Sequence, residues 1–228
     1  MKVKISELEG TMQDLLVRRG LSQQEAVLVA SDYLSAEMRG KTTHGVAKFI
    51  KELDHMAEDR GKPEVVVDKG SLVLVDANGE IGQLAAMFCA DILISRVMKH
   101  GIAAVGMRNA KRYGALYPWA EMIARNNFIG IVTNTCEPAG TPYGASSPIL
   151  GSNPIAIGIP TSQDPIIMDM ATTETAMSLI WECMLERKLL PEEIFLTVME
   201  TTPEILLRQL RLRYSVGSKD MVYRLPWK

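Results

Sequence analysis

The chain has 228 residues, 47% of them apolar and 23% charged, enough to bury a sizeable core as one large or two small domains and too apolar for a disordered chain. Lysine and arginine total 25 against 27 aspartate and glutamate, so no basic excess recommends nucleic acid, and a small molecule is the expected partner. Met1 to Gly10 lack a basic segment followed by an apolar run, and no stretch approaches the roughly 18 apolar residues of a membrane span, so neither secretion nor a membrane partner is expected.

The three cysteines, Cys89, Cys136 and Cys183, are far apart and odd in number, with no C-x-x-C spacing. Reduced thiols in a cytoplasmic protein fit best, and no metal site is expected.

Apolar Ile5, Leu8, Met12, Leu15 and Leu16 recur at helical spacing and stop at Gly20, a residue that accepts a left-handed backbone cheaply. Ser22 and Glu25 then form a capping-box pattern opening a helix to about Arg39, with Gly40 behind it. Val46, Phe49, Ile50, Leu53 and Met56 make the apolar face of a third helix. Residues 1–60 thus read as an N-terminal helical unit.

Beyond it the pattern changes to β-branched runs, Val65 to Val67 and Leu72 to Val75, separated by a Lys69-Gly70 turn. Helical spacing returns over 82–99. A strand over 102–107, a helix over 116–125 and strands over 128–133, 155–159 and 166–170 follow, with a further helix over 174–187. This alternation argues for an α/β fold, an N-terminal helical unit plus helices layered on a mixed sheet. Between them, 135–153 is rich in Gly, Pro, Ser and Thr, the composition of a loop that serves a site.

Three segments carry candidate chemistry. Thr42-Thr43-His44-Gly45, with Lys48 four residues after His44, sets an imidazole, two hydroxyls and a cation where one helix gives way to the next. A neutral imidazole exchanges protons with a carbinol oxygen, helix N-termini attract anions, and Lys48 suits a carboxylate. The same residues also fit an N-cap threonine followed by an incidental surface histidine. The second segment, 106–114, is a cationic loop containing Arg108, Lys111 and Arg112 at the end of a strand, either an anion site or a solvated turn. The third, Met168-Asp169-Met170-Ala171-Thr172-Thr173-Glu174, passes from a strand through small residues and hydroxyls into a helix; this is suited to phosphate groups, or is an ordinary capped turn. The chain has neither G-x-G-x-x-G nor a P-loop, so a Rossmann or Walker site is unsupported.

In order and spacing, Arg39-Gly40-Lys41-Thr42-Thr43-His44-Gly45, Gly82-Gln83, Arg108-Asn109 through Gly114, Thr133-Asn134, Leu150-Gly151-Ser152-Asn153-Pro154 and Asp169-Met170-Ala171-Thr172-Thr173 resemble the malate/L-lactate dehydrogenase family. That family also holds sulfolactate, ureidoglycolate and diketogulonate oxidoreductases. The resemblance runs from Lys4 to about Leu196. It implies a malate/L-lactate dehydrogenase-like fold that is not Rossmann, a homodimer, and hydride transfer between NAD or NADP and a small 2-hydroxy or 2-oxo acid. It further implies His44 as proton donor to the oxo group, Thr43 and Lys48 as substrate contacts, and 168–174 as the cofactor-lining segment.

Two departures matter. Lys48 stands where the family carries an arginine, which removes the bidentate guanidinium fork. Arg112 stands where the family carries a second histidine; it cannot exchange protons at neutral pH but can hold a carboxylate. His44 is therefore expected to act alone.

The resemblance divides the chain into residues 1–60, an α/β cofactor- and substrate-binding region over 61–196, and a divergent tail over 197–228. The tail holds six Lys/Arg against three Asp/Glu in a chain of net charge −2. Codons for Val198-Met199-Glu200-Thr201, shifted by two bases, permit the Asp-Gly-Asn turn with which relatives continue. A frameshift near residue 198 is the expectation, and a truncated, non-catalytic homologue that binds ligand or a sister subunit is the alternative to an active enzyme.

Overall fold

The computed structural model describes residues 3–56, 58–112, 114–136, 138 and 149–173. Tertiary contacts divide the chain into two units, Met1–Val132 with Ala156–Asp169, and Thr133–Ile155 with Met170–Lys228.

In the first unit, helix α1 (Ile5–Arg18) and helix α2 (Gln23–Met38) are separated by Gly20 at φ +93°. The capping box at the start of α2 is formed in full: Ser22 Oγ accepts from the Glu25 N–H, and the Glu25 carboxylate accepts from the Ser22 N–H at 2.7 Å. A 3₁₀ turn, Thr42–His44, leads into α3 (Val46–Met56). Met12 and Leu16 of α1, Val29, Ala30 and Tyr33 of α2, and Phe49, Leu53 and Met56 of α3 make one buried cluster. Tyr33 and Phe49 meet edge to face, centroids 5.6 Å apart.

Strands β1 (Glu64–Asp68) and β2 (Leu72–Asp76) pair antiparallel about the Lys69-Gly70 turn, where Gly70 has φ +77° and its N–H donates to Asp68 Oδ1 at 2.9 Å. Helix α4 (Gly82–His100) then returns the chain so that β3 (Ala104–Arg108) lies parallel to β2, as a helical crossover permits. Helix α5 (Tyr117–Arg125) starts with a proline in its first turn. Strands β4 (Gly130–Thr133), β5 (Ile155–Ile159) and β6 (Ile166–Met170) form a second three-stranded sheet in that order. Two glycines bring α5 onto it: a Cβ at Gly130 would lie 2.8 Å from Ile123 Cβ, and one at Gly158 would collide with the Ala120 carbonyl.

The α/β class is as expected, with one refinement: the described strands are distributed over two three-stranded sheets, and β1-β2-β3 is mixed. Predicted and observed boundaries differ by two residues or fewer, where ends fray or are capped. The predicted helix over 174–187, the tail and most of the 135–153 loop lie outside the described residues.

Among the described residues of the second unit, the Cys136 N–H donates to Asn153 Oδ1 at 3.0 Å, and Thr172 bonds the Ser152 carbonyl through its N–H at 2.9 Å and its hydroxyl at 3.1 Å. No helix among the described residues is long and apolar enough to cross a membrane.

Candidate active site

The chain turns sharply between α2 and α3, and one carboxylate fixes that turn. Glu37, in the last turn of α2, accepts from the Val46 N–H at 2.9 Å, and a Cβ at Gly45 would collide with its carboxyl oxygen. Gly45 therefore lets Glu37 close over the start of α3. The first N–H of α3 is thus capped by a side chain of the protein's own.

His44 ends the 3₁₀ turn half-buried, with its Nδ1 3.0 Å from the Thr43 hydroxyl. Its pKa is lowered to about 4, first by burial, then by the charges of Lys48 and Lys41, with Asp169 opposing them. The imidazole is neutral at pH 7 and carries one lone pair for a proton. Thr43, expected to touch substrate, is exposed and bonded to the imidazole.

Lys48 lies one turn before Glu52 on α3, Nζ to carboxylate 3.9 Å. Glu52 also accepts from the Tyr33 hydroxyl at 2.5 Å. Asp32, almost wholly buried on α2, feels both charges and receives the Gln83 amide at 3.1 Å. Burial pushes the Asp32 carboxyl up to about 6.

Lys41 and Asp169 form the other side. Lys41 Nζ is 2.8 Å from Asp169 Oδ2, which also accepts from the Tyr117 N–H at 3.2 Å at the start of α5. Lys41 Nζ and the Arg39 guanidinium lie 5.2 and 4.5 Å from the Tyr117 ring centroid, within cation–π range, and the Tyr117 hydroxyl is 2.6 Å from Ser35 Oγ.

Of the residues expected from sequence, His44, Thr43, Lys48 and Asp169 are thus gathered within one charge network. Arg112 is exposed in the loop between β3 and α5. Its neighbours in the cationic loop are engaged in architecture. Arg108 and Asn109 both bond Asp76, Arg108 at 2.8 Å, and Lys111 Nζ reaches the carbonyls of His55 and Met56 at 3.2 and 3.1 Å, where it offsets the negative end of α3. Met168 and Met170 are exposed on β6, Thr172 is exposed beyond it, and Ala171 and Thr173 are half-exposed. Glu174 lies outside the described residues.

Sequence reasoning missed Asp32, Glu37 and Lys41. Asp32 left a signal: it falls three residues after Val29 and four before Ala36, on the apolar face of α2, where a carboxylate has no place unless something holds it.

The fold and site define an α/β protein whose neutral histidine feels the charges of Lys48, Lys41 and Asp169. A family profile described as malate/L-lactate dehydrogenase matches residues 3–199, and the chain belongs to that family. The L-sulfolactate dehydrogenase of Methanothermobacter thermautotrophicus is 26% identical over 91% of this chain and 63% of its own length. A Δ1-pyrroline-2-carboxylate/Δ1-piperideine-2-carboxylate reductase of Pseudomonas putida is 29% identical over 77% of this chain and 53% of its own. The solved structure of malate dehydrogenase from Pyrococcus horikoshii superposes with a TM-score of 0.74 at 28% identity, covering 78% of this chain and 52% of that one. The chain thus spans between about half and just under two thirds of the length of these relatives.

Proposed function

We propose that the protein is an oxidoreductase that transfers a hydride between NAD or NADP and a small 2-hydroxy or 2-oxo acid, with His44 moving the proton. The observation that carries this reading is the neutral, half-buried imidazole of His44 beside Lys48 and Lys41. In the oxidising direction His44 takes the carbinol proton. A substrate carboxylate at Lys48 offsets the cations that depress the imidazole, so binding raises its basicity when it is needed. For reduction the same imidazole, protonated in the presence of that carboxylate, returns the proton to the oxo group. Arg112 is a second candidate contact for the carboxylate, and the Thr43 hydroxyl orients the ring.

The segment 168–174 is the proposed cofactor-binding stretch. Its donor set fits a dinucleotide: the hydroxyls of Thr172 and Thr173 suit ribose or phosphate oxygens, Ala171 permits close approach, and exposed Met168 and Met170 offer an apolar surface to a ring. NAD(P), when bound, supplies or accepts the hydride. A homodimer is proposed from the family resemblance. A cytoplasmic location is proposed from the unpaired cysteines, Cys89 and Cys136 being free thiols.

The test is oxidation of NADH or NADPH with a panel of 2-oxo acids, comparing the chain with His44→Ala. Loss of turnover by about 10²- to 10⁴-fold in the variant is expected for a general acid–base group. Equal activity in both removes His44 from the chemistry.

A further inference from the structure

The Gly82-Gln83 motif has no task in the reading above, yet the fold sets it against a buried acid. Gln83 is fully buried at the start of α4, and Asp32 is 8% exposed on α2. The Gln83 amide nitrogen donates to Asp32 Oδ2 at 3.1 Å, while Asp32 Oδ1 and Gln83 Oε1 are both buried and have no hydrogen-bond partner among the described residues. Each bare acceptor is unfavourable, and one proton on Asp32 Oδ1 donated to Gln83 Oε1 would remove both penalties. The side of the carboxyl that carries Oδ2 is closed by Gly114, where a Cβ would collide with it. The smallest donor is a proton.

The surrounding charges point the same way. Lys48 and Glu52 face Asp32 from α3, Tyr33 adjoins it on α2 and donates to Glu52, Tyr117 faces it from α5, and α4 presents the Gln83 amide. Ionised, Asp32 and Glu52 would set two negative charges against the ammonium of Lys48 and repel an incoming carboxylate. With Asp32 neutral, one of the two is removed.

We propose that Asp32 shares a proton with Gln83 in a two-hydrogen-bond acid–amide pair, and that Asp32 is a positioning residue: its proton, taken from solvent, makes Lys48 receptive, so that the substrate anion and a proton bind together. The second half rests on the oxidoreductase reading; the first does not. Burial, which pushes the Asp32 carboxyl up to about 6, brings this exchange close to neutral pH.

The ligand-free full chain, labelled with ¹³C at aspartate carboxyls, tests the first half by NMR. The resonance lost in Asp32→Asn is expected to titrate near pH 6, and a midpoint at the ordinary carboxylate value of about 4 overturns the pair. Asp32→Asn is expected to fold, because its amide can make the same two hydrogen bonds to Gln83. Oxamate, a non-reducible 2-oxo acid analogue, tests the second half by calorimetry. In a His44→Gln background, so that the imidazole adds no proton of its own, its Kd should weaken about tenfold per pH unit above the Asp32 midpoint, and with Asp32→Asn added it should be flat with pH. The same slope in both overturns the coupling. In His44→Gln, where the imidazole cannot contribute, proton uptake counted in two buffers should approach one per oxamate at pH 7, and zero uptake overturns the coupling without recourse to the asparagine variant. Absence of oxamate binding in every form strikes the oxidoreductase reading, and the ligand-free titration then decides the pair.

Discussion

Lys41 Nζ lies 2.8 Å from Asp169 Oδ2, joining the residue before the His44 turn to the strand β6, whose sequence is 128 positions away. Asp169 is nearly buried and also receives the Tyr117 N–H, so its carboxylate serves three elements at once. The asparagine variant Asp169→Asn keeps the shape and removes the charge. It should lower stability by about 1–3 kcal/mol, as for a hydrogen bond to a charged group, and move the His44 titration below its present position, because Asp169 is the charge that supports the imidazolium. Chemical denaturation and the His44 ring-proton NMR titration read the two effects separately; an unmoved His44 midpoint would separate Asp169 from the site.

Asp32 and His44 give opposite slopes to stability against pH. Asp32 is raised from 3.8 to about 6, so the folded state binds the extra proton and stability falls as pH rises across that window. His44 is lowered from 6.5 to about 4, so the unfolded state binds the extra proton and stability rises with pH across that window. In the wild type the two largely cancel between about 4 and 6. Asp32→Asn should expose the rising limb and His44→Gln the falling one, measured as denaturation midpoints from pH 4 to 7. Parallel curves for the two variants would contradict both assignments.

Gly45→Ala should destabilise the α2–α3 turn. The added Cβ meets the Glu37 carboxyl oxygen, with Glu37 Cβ 3.0 Å away, so the side chain must leave the Val46 N–H that it caps. A loss of about 0.5–2 kcal/mol is expected, the range for a lost helix cap. Glu37→Gln, which keeps an acceptor oxygen, should cost less, and thermal melts of the two variants give the order.

Lys48→Arg restores the planar fork that the family pattern carries. It should lower the KM for a 2-oxo acid by about tenfold, near 1.4 kcal/mol, with kcat changed little, because the gain is in carboxylate binding and not in proton transfer. Steady-state kinetics at fixed cofactor decides; an unchanged KM would place the carboxylate elsewhere, with Arg112 the next residue to test.

The helices, their limits and the α/β class were legible in the sequence because they depend on local rules. The Ser22/Glu25 box, the apolar spacing of Met12 and Leu16, and the Gly70 turn act within a few residues. Ordered motifs carried the family, and with it the place of His44. The family pattern also picked out Lys48 as a substrate contact and Asp169 within the cofactor-lining segment, roles that stand as proposals.

What surrounds His44 was decided by tertiary structure alone. Lys41 meets Asp169, Asp32 meets Gln83, and Glu37 caps the N-terminus of α3. None of these follows from local pattern, because a charge reads as solvated until the fold removes its water. Desolvation and a partner distant in sequence then determine whether a carboxyl is an ordinary surface anion or, like Asp32, a buried acid that burial pushes up to about 6.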